Sequence, residues 1–340
     1  MDEPSKTYNR DIFHGGDLAW AKAQYGSQEA NWIDLSTGIN PNAYPVPSLN
    51  AEIWERLPGA EQERNLLQTA KAYYQMSPTH EIVAAPGTQS LLQILPHLRE
   101  NLTVGIFSPT YAEHAHCWLA AGHDVIEFDD INVSPSSADV IIIVSPNNPT
   151  GEIADQQILL DIHAKLAEKS GLLIIDEAFM DMTPQHSFCR CAPKENVLIL
   201  KSFGKFFGLA GVRLGFAIGD PTVIDALKSR LGPWAVSAVA SEIGIQAMKD
   251  TGWISETIKK LKTDSLRLQK LLKAHKLIVK EATGLFIFVS TPKTSTVFDH
   301  LCKQSILVRP FPAQPDKLRF GFPKSEQDWA RLEHALACIP

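Results

Sequence analysis

Short apolar runs bounded by polar and turn-forming residues recur through the middle of the chain. Glu81–Ala85, Leu102–Phe107, Asp124–Phe128, Val140–Val144, Leu172–Ile175, Val197–Leu200 and Gly215–Ile218 are each four to six residues long and rich in Val, Ile and Leu. Runs of this length and content predict strands. Between most of them the apolar positions recur at helical spacing, as in Tyr111–Ala121 and Asp155–Glu168. A similar pattern over Glu61–Gln75 stops before Ser77-Pro78, and another follows Pro86–Ser90 through Leu95. Strands alternating with helices predict an α/β fold, with a mostly parallel sheet covered by helices on both faces.

The pattern changes after Pro233. Long helices are predicted to about His275, then short strands at Leu285–Val289, Ile306–Arg309 and Leu318–Phe322, and a last helix over Glu326–Ala337. The first 50 or so residues are rich in Gly, Asn, Pro and Ser and predict an irregular arm. The expected organisation is therefore an arm (1–50) packing with a small domain, a large domain (51–235), connecting helices (236–276) and a small C-terminal α/β domain (277–340). There is no internal repeat and no low-complexity stretch.

Composition adds exclusions. The 340 residues are 44% apolar and 21% charged, with a formal charge of −6. That is enough apolar material for a large core, and the negative balance argues against nucleic acid as a partner. No run of 18 apolar residues predicts a membrane span. The first residues, Met1–Lys6, show no basic-then-apolar signal, so a cytoplasmic protein is expected. Five cysteines read as reduced thiols. Cys189 and Cys191 near His186 lack a second ligand pair at zinc-like spacing, so no metal is expected.

The candidate chemistry centres on Lys205. It follows the run Leu198–Leu200 and the turn Lys201–Gly204, among aromatics and glycines, and Arg213 lies eight residues further on. A lysine desolvated in such a place has a lowered pKa and a nucleophilic amine. The Ser202 hydroxyl and the Arg213 guanidinium suit a phosphate. The combination suits a lysine joined to pyridoxal 5'-phosphate (PLP). Two earlier strand ends carry Asn148, in Ser145–Gly151, and Asp176, in Asp176–Phe179. Ligands of open α/β sheets bind outside such ends. A carboxylate can pair with the pyridine nitrogen, and an asparagine can donate to the ring oxygen. Taken singly, Asp176-Glu177 also reads as a capped turn and Asn147–Gly151 as a surface turn. The ordered set is what points to a site.

Asn-Asn-Pro-Thr-Gly, Asp-Glu-Ala, Ser-x-x-Lys and Gly-x-Arg-x-Gly together resemble the fold type I PLP enzymes, in the aminotransferase-like group that includes histidinol-phosphate aminotransferases. The resemblance covers nearly the whole chain. His14-Gly15-Gly16, Asp34–Pro41, Asp176–Phe179 and Pro233–Val236 resemble more closely the threonine-phosphate decarboxylases of cobalamin biosynthesis. Phe179 stands where most aminotransferases carry a tyrosine, and it agrees with the decarboxylase pattern.

The resemblance implies roles. Gly87, Thr88 and Gln89, already a turn suited to phosphate, are expected at the cofactor phosphate with Ser202 and Arg213. Tyr111 is expected against the pyridine ring. Arg319 is expected to hold the substrate carboxylate, with Arg309, His14, Gly15, Gly38 and Asn148 around the remainder. Leu57, in Arg56-Leu57-Pro58, replaces a tyrosine that in related enzymes reaches the partner subunit's cofactor. The implied activity is decarboxylation of L-threonine O-3-phosphate to (R)-1-amino-2-propanol O-2-phosphate by a homodimer. A histidinol-phosphate-type aminotransferase is the alternative, since one cradle serves either reaction. A PLP-sensing regulator lacking enzymatic activity fits less well, because the first 50 or so residues show no helix-turn-helix.

Overall fold

The computed structural model describes residues 14–26, 31–46 and 48–340. Its largest element is a seven-stranded sheet, which follows β1 (Ile33–Asp34) in the chain. The strands are β2 (Glu81–Ala85), β3 (Thr103–Phe107), β4 (Asp124–Phe128), β5 (Val140–Val144), β6 (Leu172–Asp176), β7 (Val197–Ser202) and β8 (Gly215–Gly219), in the spatial order β2-β8-β7-β6-β5-β3-β4. The five from β7 to β4 pair in parallel, and β8 runs antiparallel to both β7 and β2. Strands β5 and β6 are buried at all five positions, which is why they read as unbroken apolar runs rather than alternating ones.

Each face of this sheet has its own core. Ile141, Ile143, Ile175, Ile199 and Phe216 pack with Leu66 and Ala70 of helix Ala60–Tyr73, Leu159 and Ile162 of helix Gln156–Ala167, and Ile243 and Ala247 of helix Ala238–Lys249. Ile142, Ile174, Leu198 and Leu200 pack on the other face with Leu91 and Leu92 of helix Thr88–Ile94, Ala115 and Trp118 of helix Glu113–Ala120, and Ile224 and Leu227 of helix Pro221–Leu231. Two of these helices start on aspartates whose side chains accept from the first-turn N–H groups, Asp155 and Asp220.

A second, antiparallel sheet forms from β9 (Ile278–Ala282), β10 (Ile287–Ser290), β12 (Arg309–Pro310) and β13 (Lys317–Phe320), in the order β12-β13-β10-β9. Between them, β11 (Ile306–Leu307) instead pairs in parallel with β1. The single strand expected over Ile306–Arg309 is therefore divided: Leu307 belongs to the arm's pairing and Arg309 to the small sheet. Strand β9 was not legible, because three of its five residues are exposed and it includes Lys280 and Glu281. Helix Thr251–Ala274 packs on β9 and β10. The final helix, Glu326–Ala337, begins with a reciprocal Ser325–Asp328 cap.

The arm is less irregular than its composition suggests. It contains a helix, Leu18–Tyr25, capped by Asp17 through the Trp20 N–H. Trp20 and Tyr25 pack on Phe298 of the small-sheet layer. Eight residues without an apolar stripe leave no periodic signal, and tertiary contact with Phe298 makes up the difference.

Candidate active site

The carboxyl ends of β2, β3, β5, β6 and β7 open into one cleft of ≈ 980 Å³. Because β8 is antiparallel, its beginning rather than its end lies at this edge, which brings Arg213 to the same cleft. Of the residues expected at the site, His14, Gly15, Gly87, Thr88, Gln89, Tyr111, Asn148, Asp176, Ser202, Lys205, Arg213, Arg309 and Arg319 all line it. Gly38 sits behind the wall: a Cβ there would lie 3.1 Å from Phe286, 3.4 Å from Phe179 and 3.7 Å from the Arg319 guanidinium.

Lys205 lies one turn past β7, in helix Phe203–Phe206, with its Nζ 5.6 Å from the centre of the Phe179 ring. Burial, reinforced by the charge of Arg319, lowers its pKa from 10.5 to about 8; Asp176 works in the opposite direction. Roughly one amine in ten is then unprotonated at pH 7, against roughly one in three thousand for an ordinary lysine. Lys201, on the same strand, is different. It is buried against the Glu177 carboxylate and Ser187 Oγ, on the opposite side from the cleft, so its charge is structural. The neighbouring carboxylates of Asp176-Glu177 thus face opposite ways, as successive residues at a strand end do.

Asp176 is buried, and each of its oxygens has one partner, leaving further acceptor capacity. Its Oδ1 accepts from the Ala178 N–H at 3.0 Å, and its Oδ2 lies 3.0 Å from His114 Nε2. A carboxylate can only accept here, so Nε2 carries the proton. Helix Glu113–Ala120 supplies His114, which is itself buried. This partner is not legible in the sequence, where it is only a histidine inside an apolar helical stretch.

A tight anion cradle lies at β2 and β8. Gly87 has φ +81°, and a Cβ on it would lie 2.6 Å from Arg213 Nη2. Only glycine lets the guanidinium come this close. No side chain caps helix Thr88–Ile94, leaving its first N–H groups for another acceptor. Arg213 is held at φ +57°. These features fit pyridoxal phosphate. Gly87, Thr88, Ser202 and Arg213 would hold the phosphate, Asp176 the ring nitrogen and Tyr111 the ring face, with Lys205 in reach of the same space.

The opposite wall is cationic. Arg319 is buried, and its Nη1 donates to Asn148 Oδ1 at 2.5 Å and its Nη2 to the Ser36 carbonyl at 2.6 Å. Its Nε is buried without a hydrogen-bond partner among the described residues. Asn148 presents its oxygen to Arg319, leaving its Nδ2 to donate into the cleft. Burial and the neighbouring Arg309 push Arg319 down to about 9, and burial pushes Arg309 down to about 10. Both remain cations at neutral pH. Tyr111 stands edge-on to His14 and His114, at 6.3 and 6.1 Å between ring centres. Glu113 backs this wall, with Oε1 3.1 Å from His14 Nε2 and Oε2 accepting from Gln89 Nε2 at 2.7 Å. It too was not singled out from sequence.

The chain belongs to the aminotransferase class I and II family, which matches residues 60–337. It is 41% identical over 325 residues to a protein of Pseudomonas aeruginosa named threonine-phosphate decarboxylase, covering 95% of this chain and 96% of that one. A protein of the same name from Sinorhizobium sp. is 38% identical over 329 residues, covering 96% and 98%. Among solved structures, the histidinol-phosphate aminotransferase of Sinorhizobium meliloti, in complex with pyridoxal-5'-phosphate, is similar with a TM-score of 0.80 at 19% identity, over 97% of this chain and 95% of that chain. That likeness is one of fold.

Proposed function

We propose that this protein is a PLP-dependent decarboxylase that converts L-threonine O-3-phosphate to 1-amino-2-propanol phosphate, a step of cobalamin biosynthesis. The observation that carries the reading is the placement of Arg319, Arg309 and His14 in the same cleft as Lys205. A substrate with both a carboxylate and a phosphate needs cationic groups at both ends. The full-length relatives favour decarboxylation over transamination. So does Phe179, which brings no hydroxyl into the cleft and packs edge-on against Phe286 at 5.1 Å.

When bound, pyridoxal phosphate supplies an electron sink for the pair left at Cα as CO₂ departs. The chain's own residues do the remainder. Arg319 fixes the carboxylate through its unpaired Nε, with Asn148 and Ser36 setting the plane of the guanidinium. Asp176, oriented by His114, would present a carboxylate oxygen to the ring nitrogen. Lys205, whose depressed pKa lets it exchange a proton near neutral pH, returns a proton to Cα after CO₂ has left. Phe179 and Tyr111 line the cleft on which Lys205 opens with aromatic surface.

The protein is further proposed to act as a homodimer. Trp54 (69% exposed), Leu57 (67%) and Trp234 (58%) lie on or beside helices Glu52–Glu55 and Ala238–Lys249, which pack together. Apolar exposure of this size marks an interaction surface. Among the described residues no helix is long and apolar enough to cross a membrane, and all five cysteines are free. A cytoplasmic location is proposed on that basis.

The test uses PLP-loaded protein, L-threonine O-3-phosphate and no keto acid, following CO₂ and amine together. Equal amounts of both over many turnovers support the reading. No CO₂, with conversion of the cofactor to its amine form on adding histidinol phosphate, would replace it with an aminotransferase.

A further inference from the structure

Glu113 is a buried carboxylate just behind the wall of a cleft that must accept an anion, in contact with His14 and Gln89, which line it. Such a charge would repel a phosphate unless it is neutralised or turned away. Both of its oxygens are engaged by donors from separate parts of the chain, Oε1 by His14 of the arm and Oε2 by Gln89 in the first turn of helix Thr88–Ile94. Glu113 also begins a helix, where an acid is favoured by the dipole alone. A dipole, however, requires neither of these two partners.

Among the described residues, the arm is also held nearby at Ser36. The Gly16 N–H donates to Ser36 Oγ at 2.7 Å, and a Cβ on Gly15 would lie 2.5 Å from the Ser36 carbonyl, so the loop lies flush on Ser36. That carbonyl is the one Arg319 holds. His14-Gly15-Gly16 is therefore strung between the carboxylate-binding arginine and Glu113. The His14 side chain is 48% exposed, and Glu113 converts it from a surface histidine into an oriented one. With Nε2 donating to the carboxylate, Nδ1 is the ring nitrogen left for a ligand, and it donates to a phosphate oxygen when both ring nitrogens carry protons.

We propose that Glu113 is a positioning residue for the phosphorylated substrate, fixing His14 on the cleft wall so that the imidazole meets the substrate phosphate together with Arg309. This rests on the decarboxylase reading above, and it makes discrimination between phosphothreonine and threonine depend on a residue that touches neither.

The experiment compares PLP-loaded Glu113→Ala, Glu113→Gln, His14→Ala and the Glu113→Ala/His14→Ala double variant. Loss of a charge-assisted contact predicts that KM for L-threonine O-3-phosphate rises by roughly tenfold or more in Glu113→Ala. The change in kcat should stay below about threefold, and cofactor affinity should be unchanged in His14→Ala, which leaves the Gln89–Glu113 bond in place. His14→Ala should match it, and the double variant should be no worse than either single one, since the two residues act as a unit. Glu113→Gln keeps the side-chain volume and should melt with the parent while showing the raised KM. An unchanged KM, additive effects, or weakened PLP binding in His14→Ala would overturn the proposal. If the parent enzyme releases no CO₂ from L-threonine O-3-phosphate, the decarboxylase reading fails. Amide hydrogen exchange over residues 14–18 then still decides the anchoring: faster exchange in Glu113→Gln upholds it, and an unchanged rate rejects it.

Discussion

Asn148 Oδ1 accepts a hydrogen bond of 2.5 Å from Arg319 Nη1, joining the end of β5 to strand β13 of the small sheet. The guanidinium is thereby oriented from the large sheet and from the arm, since its other terminal nitrogen donates to the Ser36 carbonyl. Lysine cannot make this pair of bonds and also offer a third donor in the same plane. Arg319→Lys should raise KM for the amino-acid substrate by roughly tenfold to a hundredfold, in keeping with the loss of one or two charge-assisted bonds. Asn148→Ala should produce a smaller rise, because the arginine stays but its plane is released. Steady-state kinetics of the two variants provide the check, and equal effects would contradict the distinction.

The cradle at Gly87 predicts a defect of a different kind. Alanine at this position would bring a Cβ to 2.6 Å from Arg213 Nη2 and would hold φ at +81°. With ψ at 160° this is a backbone region that only glycine occupies readily, so the strain is on the order of 1–3 kcal/mol, and the guanidinium must also move off its phosphate position. Gly87→Ala should therefore bind PLP at least roughly tenfold more weakly while folding normally. Titration of cofactor-free protein by absorbance measures this, and retained affinity would place the phosphate elsewhere.

How far the sequence could be read depended on whether the signal was local. Strands β2, β4 and β5 match their expected bounds because an apolar run between turn residues needs no partner to be recognised. Lys205, Asp176 and Asn148 were legible because each follows such a run. His114, Glu113 and Ser36 were not. They act through contacts 62, 99 and 283 residues away in the chain, with Asp176, His14 and Arg319. Nothing local separates His114 from a histidine packed in a helix, or Glu113 from a first-turn acid. The split of Ile306–Arg309 between β11 and β12 has the same origin, since both halves have strand character and only their partners, Asp34 and Arg319, tell them apart.

The apolar patch gives a prediction about assembly. Trp54 and Leu57 bury little within the chain, so replacing them should hardly change the protomer's own stability. Introducing carboxylates there would place like charges against each other across a two-fold interface. Trp54→Asp/Leu57→Asp should sediment as a monomer at concentrations where the parent protein is a dimer, with unchanged secondary structure. A dimer that persists in the double variant would move the interface elsewhere.

Lys205 ties the chemistry to stability in a way that can be measured without cofactor. Its pKa is 10.5 in an unfolded chain and about 8 in the folded one, chiefly through burial and then the charge of Arg319. Between these values the unfolded chain holds more protons, so raising the pH from 8 to 10.5 stabilises the fold. Below pH 8 the penalty is complete and constant, at most about 3 kcal/mol because the side chain is only half-buried. Methionine has a similar length and carries no charge. Cofactor-free Lys205→Met should therefore be the more stable protein at pH 7 by up to about 3 kcal/mol, and the gap should close as the pH approaches 10.5. Urea denaturation of both proteins at pH 7, 9 and 10 provides the comparison. The same variant, supplied with PLP, should show neither turnover nor the visible absorbance of a lysine-bound cofactor. Equal stability at pH 7 would mean that Lys205 keeps its charge solvated, and the amine would then lack the depressed pKa on which its proton transfer depends.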